Sequence, residues 1–418
     1  MRKYLKNKKV LRECAIWNML QSSAKKKHRS YHTPGHKVAK WDITELSYSD
    51  NLSAPRGCIA QAETDIAHIL GAKKSFILTD GSTAGVLAML YASKKLGVKK
   101  LLAVPHLHKC VYNGCEALGI TLLLTEQEKV ESLIAQVDAL LITSPDYFGR
   151  EAPMKKFREL CDAHGKLLLI DGAHGGHLHF SRYSYAGLFA DFWVDGVHKS
   201  LPAFTQGAVV SAKTEKGAEV LAKGVDCFRT TSPSYPIMAS VEYAVKYPQN
   251  EHLPSAVHNF YRKHDRVKVY DWTKIITKFG ANAFEAEKAF EAKGIYPEFC
   301  DGEHIVFYLS PATSRRDFAL LRRAIVRMFK KFPYVEKPVQ PNPAPVILQV
   351  DGETEWVLIA DCEGRVCAQE CGLFPPCTPL ILKGERIEKR HIQLMQCANN
   401  VFGVVDGKIL VFKEKEEV

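Results

Sequence analysis

Six short apolar runs, spaced so that a helix fits between most of them, constrain this chain more than any other feature. They are KSFIL (74–78), KLLAV (100–104), ITLLL (120–124), DALLIT (138–143), KLLLID (166–171) and FWVDGV (192–197). A strand with one wet face alternates apolar and polar residues. These runs do not alternate, so both of their faces are buried, as in parallel strands covered by helices. The intervening segments read as helices: 61–70, which stops at Gly71, then 80–97 after a turn, 109–118, 126–136 and 153–164. The predicted fold class is α/β, a mostly parallel sheet sandwiched by helices.

The flanks differ. Residues 5–27 read as a helix, and residues 1–30 form an N-terminal helical arm. Residues 31–265 form the major domain. A long helical region over 237–292 ends near Gly294, followed by strands at 304–310 and 345–350. An amphipathic helix lies at 315–331, and the Pro-rich 333–344 is a connector. Residues 266–418 thus read as a smaller C-terminal α+β domain.

The chain of 418 residues carries a formal net charge of +11, much of it in the first 40 residues. A basic arm can bind nucleic acid, but no aromatic or glycine interleaving supports RNA binding, so it reads as a solvated helix face. No apolar run approaches the ~20 residues of a membrane span, and the apolar core of a secretory signal is missing. A cytoplasmic protein with no nucleic-acid or membrane partner is expected, its twelve cysteines reduced. Cys362, Cys367, Cys371 and Cys377 cluster without a C-x2-C knuckle, so no metal site is expected.

In open α/β sheets, ligands bind beyond the carboxyl ends of the strands. Asp80-Gly81-Ser82-Thr83 follows one strand and opens a helix, an arrangement that can cradle an anion. His108 follows the next strand. Asp171 ends LLLI, and a carboxylate there needs a cationic partner. Lys199 lies just past the next apolar run. Singly these residues are an ordinary N-cap, a loop histidine, a capping aspartate and a surface lysine. Jointly they suit pyridoxal 5′-phosphate (PLP), which needs a Schiff-base lysine, an acid at the pyridine nitrogen, a phosphate site and a group flat against the ring.

Several ordered segments then resemble the ornithine/lysine/arginine decarboxylase family of PLP enzymes, in its short form without an N-terminal regulatory domain. They are HTPGHK (32–37), 42–63, DGSTAG (80–85), HLHKCVYNG (106–114), SPDYFG (144–149), DGAHGGHLHF (171–180), HKSLPAFTQGA (198–208), TSPSYPIMAS (231–240) and FPPCTPLILKGE (374–385). The resemblance implies the PLP-dependent transferase-like (aspartate aminotransferase) fold. Lys199 is then the Schiff-base residue, Asp171 the partner of the pyridinium nitrogen and His108 the stacking group. Ala173 packs on the opposite face, and His174 lies near the substrate carboxylate or the phenolic oxygen. Gly81, Ser82, Thr83 and His198 hold the phosphate. Thr231 and Ser232 approach the cofactor of a neighbouring subunit, which implies a homodimer or higher homo-oligomer with shared active sites.

The implied function is decarboxylation of a basic amino acid (arginine, lysine or ornithine), related to polyamine formation. Asp42, Glu45 and Asp50 are candidate acids for its distal cation. Three positions depart from the family pattern. Gly196 replaces a hydroxyl residue, Gly172 replaces an acid, and Asp146 stands where threonine is common. The alternatives are an aminotransferase or lyase on another amino acid, with Arg229 or Arg56 as a carboxylate clamp, and a non-catalytic homologue.

Overall fold

The computed structural model describes residues 5–26, 29–181, 183–336, 352–374, 377–398 and 400–413. Contacts divide the chain into two compact units. The first comprises residues 1–105, 110–252 and 309–312, and the second residues 106–109, 253–308 and 313–418.

The first unit opens with two helices, α1 (Lys8–Arg12) and α2 (Ala15–Lys25), rather than one continuous helix over 5–27. The break falls at Glu13-Cys14. Cys14 offers α2 no side-chain cap. Glu242, buried on a later helix, accepts the Ala15 and Ile16 N–H groups at 2.7 and 3.0 Å instead. Two of the orphan donors at a helix start are satisfied in this way. Lys246 lies 2.9 Å from the same carboxylate.

Next come α3 (Cys58–Leu70), β1 (Lys74–Leu78), α4 (Gly81–Lys95), β2 (Lys100–Ala103), α5 (Lys109–Leu118), β3 (Thr121–Leu124), α6 (Val130–Leu133), β4 (Ala139–Thr143) and α7 (Met154–His164). β5 (Leu167–Asp171), β6 (Phe192–Asp195), α8 (Val197–Ser200), β7 (Ala208–Ala212), α9 (Glu215–Phe228) and α10 (Tyr235–Val245) complete the unit. The seven strands form one sheet in the order β1-β7-β6-β5-β4-β2-β3. Only β7 runs against its neighbours. The mostly parallel α/β sheet read from the apolar runs is therefore present, and the burial pattern gives the reason: β6 and β7 are buried at every position.

Register decides what this sheet presents. Thr143 pairs with Asp171, and Asp171 with Val194. The carboxyl ends of β4, β5 and β6 are therefore flush. On the other side, α4 lies close to the sheet. A Cβ on Gly85 would come 2.6 Å from Val194 Cγ2, so only glycine permits this approach.

The second unit contains α11 (Leu253–Tyr261), β8 (Val267–Lys268), β9 (Lys274–Lys278), α12 (Ala283–Glu291), β10 (Phe299–Cys300), β11 (His304–Tyr308) and α13 (Arg315–Lys331). The helical region expected over 237–292 does contain helices, but two strands, β8 and β9, lie within it. KIITK forms β9, where β-branched Ile275, Ile276 and Thr277 favour a strand and Ile275 and Thr277 are fully buried. β8 to β11 build a four-stranded antiparallel sheet. Beyond it lie β12 (Thr354–Leu358), β13 (Cys371–Leu373), β14 (Pro379–Ile381), α14 (Lys389–Cys397), β15 (Val401–Phe402), β16 (Val404–Val405) and β17 (Lys408–Phe412). The strand expected at 345–350 lies outside the described residues.

Candidate active site

The flush strand ends gather the first group of candidate residues. β5 delivers Asp171 and the turn that carries Ala173 and His174. Asp171 is 3 % exposed, and its Oδ1 accepts the Ala173 N–H at 3.1 Å. Burial pushes its carboxyl above the usual range, while the Lys199 ammonium and the Ala173 N–H pull the other way. β6 leads through Gly196 into α8, a single turn that carries His198 and Lys199. Lys199 Nζ lies 3.1 Å from His174 Nε2. β4 leads to Tyr147, whose ring meets the His174 ring edge-on at 4.6 Å between centroids.

β1 leads to the start of α4. Gly81 has φ 76°, and its N–H goes to Gln206 O at 2.9 Å. Its place in the cradle is thus to turn the chain. Asp80 does not cap the helix; its Oδ2 accepts the Thr230 N–H at 3.3 Å. The start of α4 has no side-chain cap, and among the described residues the Ser82 and Thr83 side chains make no hydrogen bond. Open first-turn N–H groups and two hydroxyls make a site for an oxyanion. Ser82 is partly exposed and Thr83 exposed. His198 donates its backbone N–H to Gly207 O at 3.0 Å, and its Nδ1 lies 2.9 Å from the same oxygen. Thr231 and Ser232 are exposed just before α10, close in sequence to the Thr230–Asp80 tether. His108 follows β2 within 106–109, the segment grouped with the second unit.

The departures have physical causes. A Cβ on Gly196 would come 2.5 Å from Ala173 O, so the backbone of the β5 turn occupies the space a hydroxyl side chain would need. A Cβ on Gly172 would come 3.0 Å from Val194 O. Asp146 closes its own loop: it accepts the Phe148 and Arg150 N–H groups at 2.9 and 2.8 Å and pairs with Arg150 Nε at 2.7 Å.

The candidate substrate acids also have local duties. Asp50 accepts the N–H groups of Asn51, Arg56, Gly57 and Ile59 at 2.8–3.0 Å. Burial opposes its charge, but these donors hold its carboxyl below the usual range. Asp42 lies 3.1 Å from His36, and Glu45 accepts the Thr44 hydroxyl at 2.7 Å. Arg229 is buried, donates to Leu52 O at 2.7 Å and faces Glu63 at 3.8 Å, so it is committed to holding α3 and β1. In the second unit, Cys362, Cys367 and Cys371 pack with Ile381, Ile409 and Val411 in an apolar core. Among the described residues no trio of histidine, cysteine, aspartate or glutamate is gathered to hold a metal.

Two residues drew no attention in the sequence. Tyr147 sits inside a family-like segment but shows its contact with His174 only once folded. Asp195 ends β6 fully buried, and a carboxylate inside FWVDGV was the one available signal.

The residues present suit PLP: an amine on α8, a buried carboxylate that needs a cation, and an open helix start with free hydroxyls. Known proteins are similar to this chain in sequence and in fold. The family described as Orn/Lys/Arg decarboxylase, major domain, matches residues 116–269, and its C-terminal domain matches 322–403; together they span more than half of the chain. An arginine decarboxylase of Halalkalibacterium halodurans is 26% identical, over 96% of this chain and 98% of that protein. The fold is similar to that of the constitutive lysine decarboxylase of E. coli, with a TM-score of 0.71, 17% identity, and 96% of this chain and 82% of that one covered. It is also similar to SPT solved with PLP, with a TM-score of 0.60, 12% identity, and 78% and 86% covered.

Proposed function

The chain belongs to the Orn/Lys/Arg decarboxylase family, and from that premise we propose that it removes the α-carboxylate of a basic amino acid with pyridoxal 5′-phosphate as cofactor. The observation that carries this is the Lys199–His174 contact, 3.1 Å long, beside buried Asp171 at the sheet edge.

When bound, the cofactor supplies an aldehyde that condenses with amines and a cationic ring that takes up the electrons of the broken Cα–carboxylate bond. The chain's own residues do the rest. Lys199 would provide the amine that holds the cofactor. An exposed lysine amine is nearly fully protonated at neutral pH and a weak nucleophile. His174 Nε2, 3.1 Å away, takes and returns the Nζ proton. Asp171 would keep a proton on the ring nitrogen, because a buried carboxylate favours a cation against it. Ser82, Thr83 and His198 bind the phosphate, Gly81 turns the chain into that cradle, and Ala173 faces the ring. His108 is the ring-stacking group that the family resemblance implies. Thr231 and Ser232 reach a neighbouring subunit's cofactor in a homo-oligomer. The distal amine or guanidinium of the substrate calls for carboxylates, and Asp42 and Glu45 are the candidates least occupied by backbone donors.

The test is direct. The cofactor-loaded protein is incubated separately with arginine, lysine and ornithine, and carbon dioxide and the amine are assayed. Release from one of the three supports the proposal and names the substrate. No release from any, with cofactor bound, overturns it.

A further inference from the structure

A second buried carboxyl group stands beside Asp171, and the proposed reaction does not use it. Asp195 ends β6 one residue beyond Val194, the residue paired with Asp171, and is 2 % exposed. Its Oδ2 accepts the Tyr185 hydroxyl at 2.6 Å. That hydroxyl accepts Trp193 Nε1–H at 2.9 Å, so its own proton is directed at Asp195. Oδ1 is buried and has no hydrogen-bond partner among the described residues. It faces the glycine turn after β5: a Cβ on Gly172 would lie 3.7 Å from Oδ1.

Two anions do not sit comfortably in one buried edge unless each has its own cation. Asp171 has one, the Lys199 ammonium. Asp195 has neutral donors only. The groups that act on it are Tyr185, reaching it from the segment before β6, Trp193 from its own strand, and Asp171 from β5; none is a cation.

We propose that Asp195 is a positioning residue for Asp171: the two carboxyl groups share one negative charge, Asp171 carries it, and Asp195 keeps its proton until a cationic ring nitrogen is bound against Asp171. Burial raises the Asp195 carboxyl to about 7, the Asp171 charge adds to the rise, and Tyr185 and Trp193 oppose it. Burial raises both carboxyls, but only Asp171 has a cation to draw it back, and such a difference divides acid and base roles between adjacent groups. The inference rests on Asp171 as the partner of the ring nitrogen.

The experiment measures the dissociation constant for pyridoxal 5′-phosphate, from cofactor absorbance and tryptophan quenching, across neutral pH. Wild type is compared with Asp195→Asn, Tyr185→Phe and Asp171→Asn, each checked for folding by thermal unfolding. A cation bound beside the pair favours release of the Asp195 proton, so wild-type affinity gains a component that rises through neutral pH. Asparagine releases no proton and lacks that component. The ratio of the Asp195→Asn constant to the wild-type constant is expected near one at about pH 6 and on the order of tenfold by about pH 8.5. Tyr185→Phe is expected to move the midpoint of the rise to higher pH, because the lost hydroxyl donates to the ionised form; this decides the matter if Asp195→Asn does not fold. A ratio that stays flat with pH, or no midpoint shift in Tyr185→Phe, overturns the role of Asp195. Wild-type binding that is not saturable, or an Asp171→Asn protein with unchanged affinity and spectrum, overturns the Asp171 assignment instead.

Discussion

Lys199 Nζ and His174 Nε2 lie 3.1 Å apart, joining the turn after β6 to the turn after β5. The contact exists because β5 and β6 are parallel neighbours with flush ends. Lys199→Ala is expected to remove the visible absorbance of lysine-bound PLP and to abolish turnover. Thermal unfolding of the apo protein is expected at a lower temperature, because buried Asp171 loses the Lys199 ammonium. A retained band places the attachment elsewhere.

Gly196→Ser adds the hydroxyl that the family resemblance leads one to expect there, yet it is expected to harm this protein. The new Cβ meets Ala173 O at 2.5 Å, and a backbone carbonyl gives way poorly. A loss of about 1–3 kcal/mol of stability is expected by urea denaturation, with weaker PLP binding because the Ala173 turn is displaced. Tighter binding at unchanged stability refutes this account.

Asp195 makes stability depend on pH with a definite sign. Burial raises its carboxyl from 3.8 to about 7, so the folded protein holds a proton that the unfolded chain releases. The stability this contributes is full below 3.8 and is lost as pH rises through about 7. The total is at most about 4 kcal/mol at 1.36 kcal/mol per pH unit. Asp195→Asn is expected to lack this slope, so its denaturation midpoint should gain on wild type between pH 4 and 7 in apo protein.

Glu242→Ala tests how the N-terminal arm is held. It removes the acceptor of the Ala15 and Ile16 N–H groups and strips Lys246 of one of two carboxylates. A loss of about 3–5 kcal/mol is expected, as for a broken buried pair. Limited proteolysis is expected to cut within residues 5–26 well before global unfolding. Glu242→Gln, which keeps one acceptor oxygen, is expected to lose less.

Much of this was legible in the chain. Each of the six apolar runs became a strand of one sheet; five are largely buried, while β3 at the sheet edge has no buried residue, so its apolar run overstated its cover. The positions of Lys199 and Asp171 just past such runs placed them at strand ends before any contact was known. The single helix expected over 5–27 was broken, since apolar period alone does not reveal that Glu242, more than two hundred residues away, supplies the α2 cap. The helical region expected over 237–292 contained β9, where long-range pairing of Lys274–Lys278 with β11 outweighed helical periodicity.

The departures divide along the same line. A missing hydroxyl at 196 and a missing acid at 172 are facts of sequence; that Ala173 O and Val194 O fill those spaces is a fact of packing. Asp50 looks like any loop acid until four backbone donors converge on it. Asp195 looks like the end of a strand until burial beside Asp171 gives it a charge problem to solve. Composition and spacing fixed which residues reach the carboxyl edge of the sheet, because strand periodicity and burial are local properties. Which of those residues touch, and which carry the charge, was decided by strand register and desolvation, which arise only when distant segments come together.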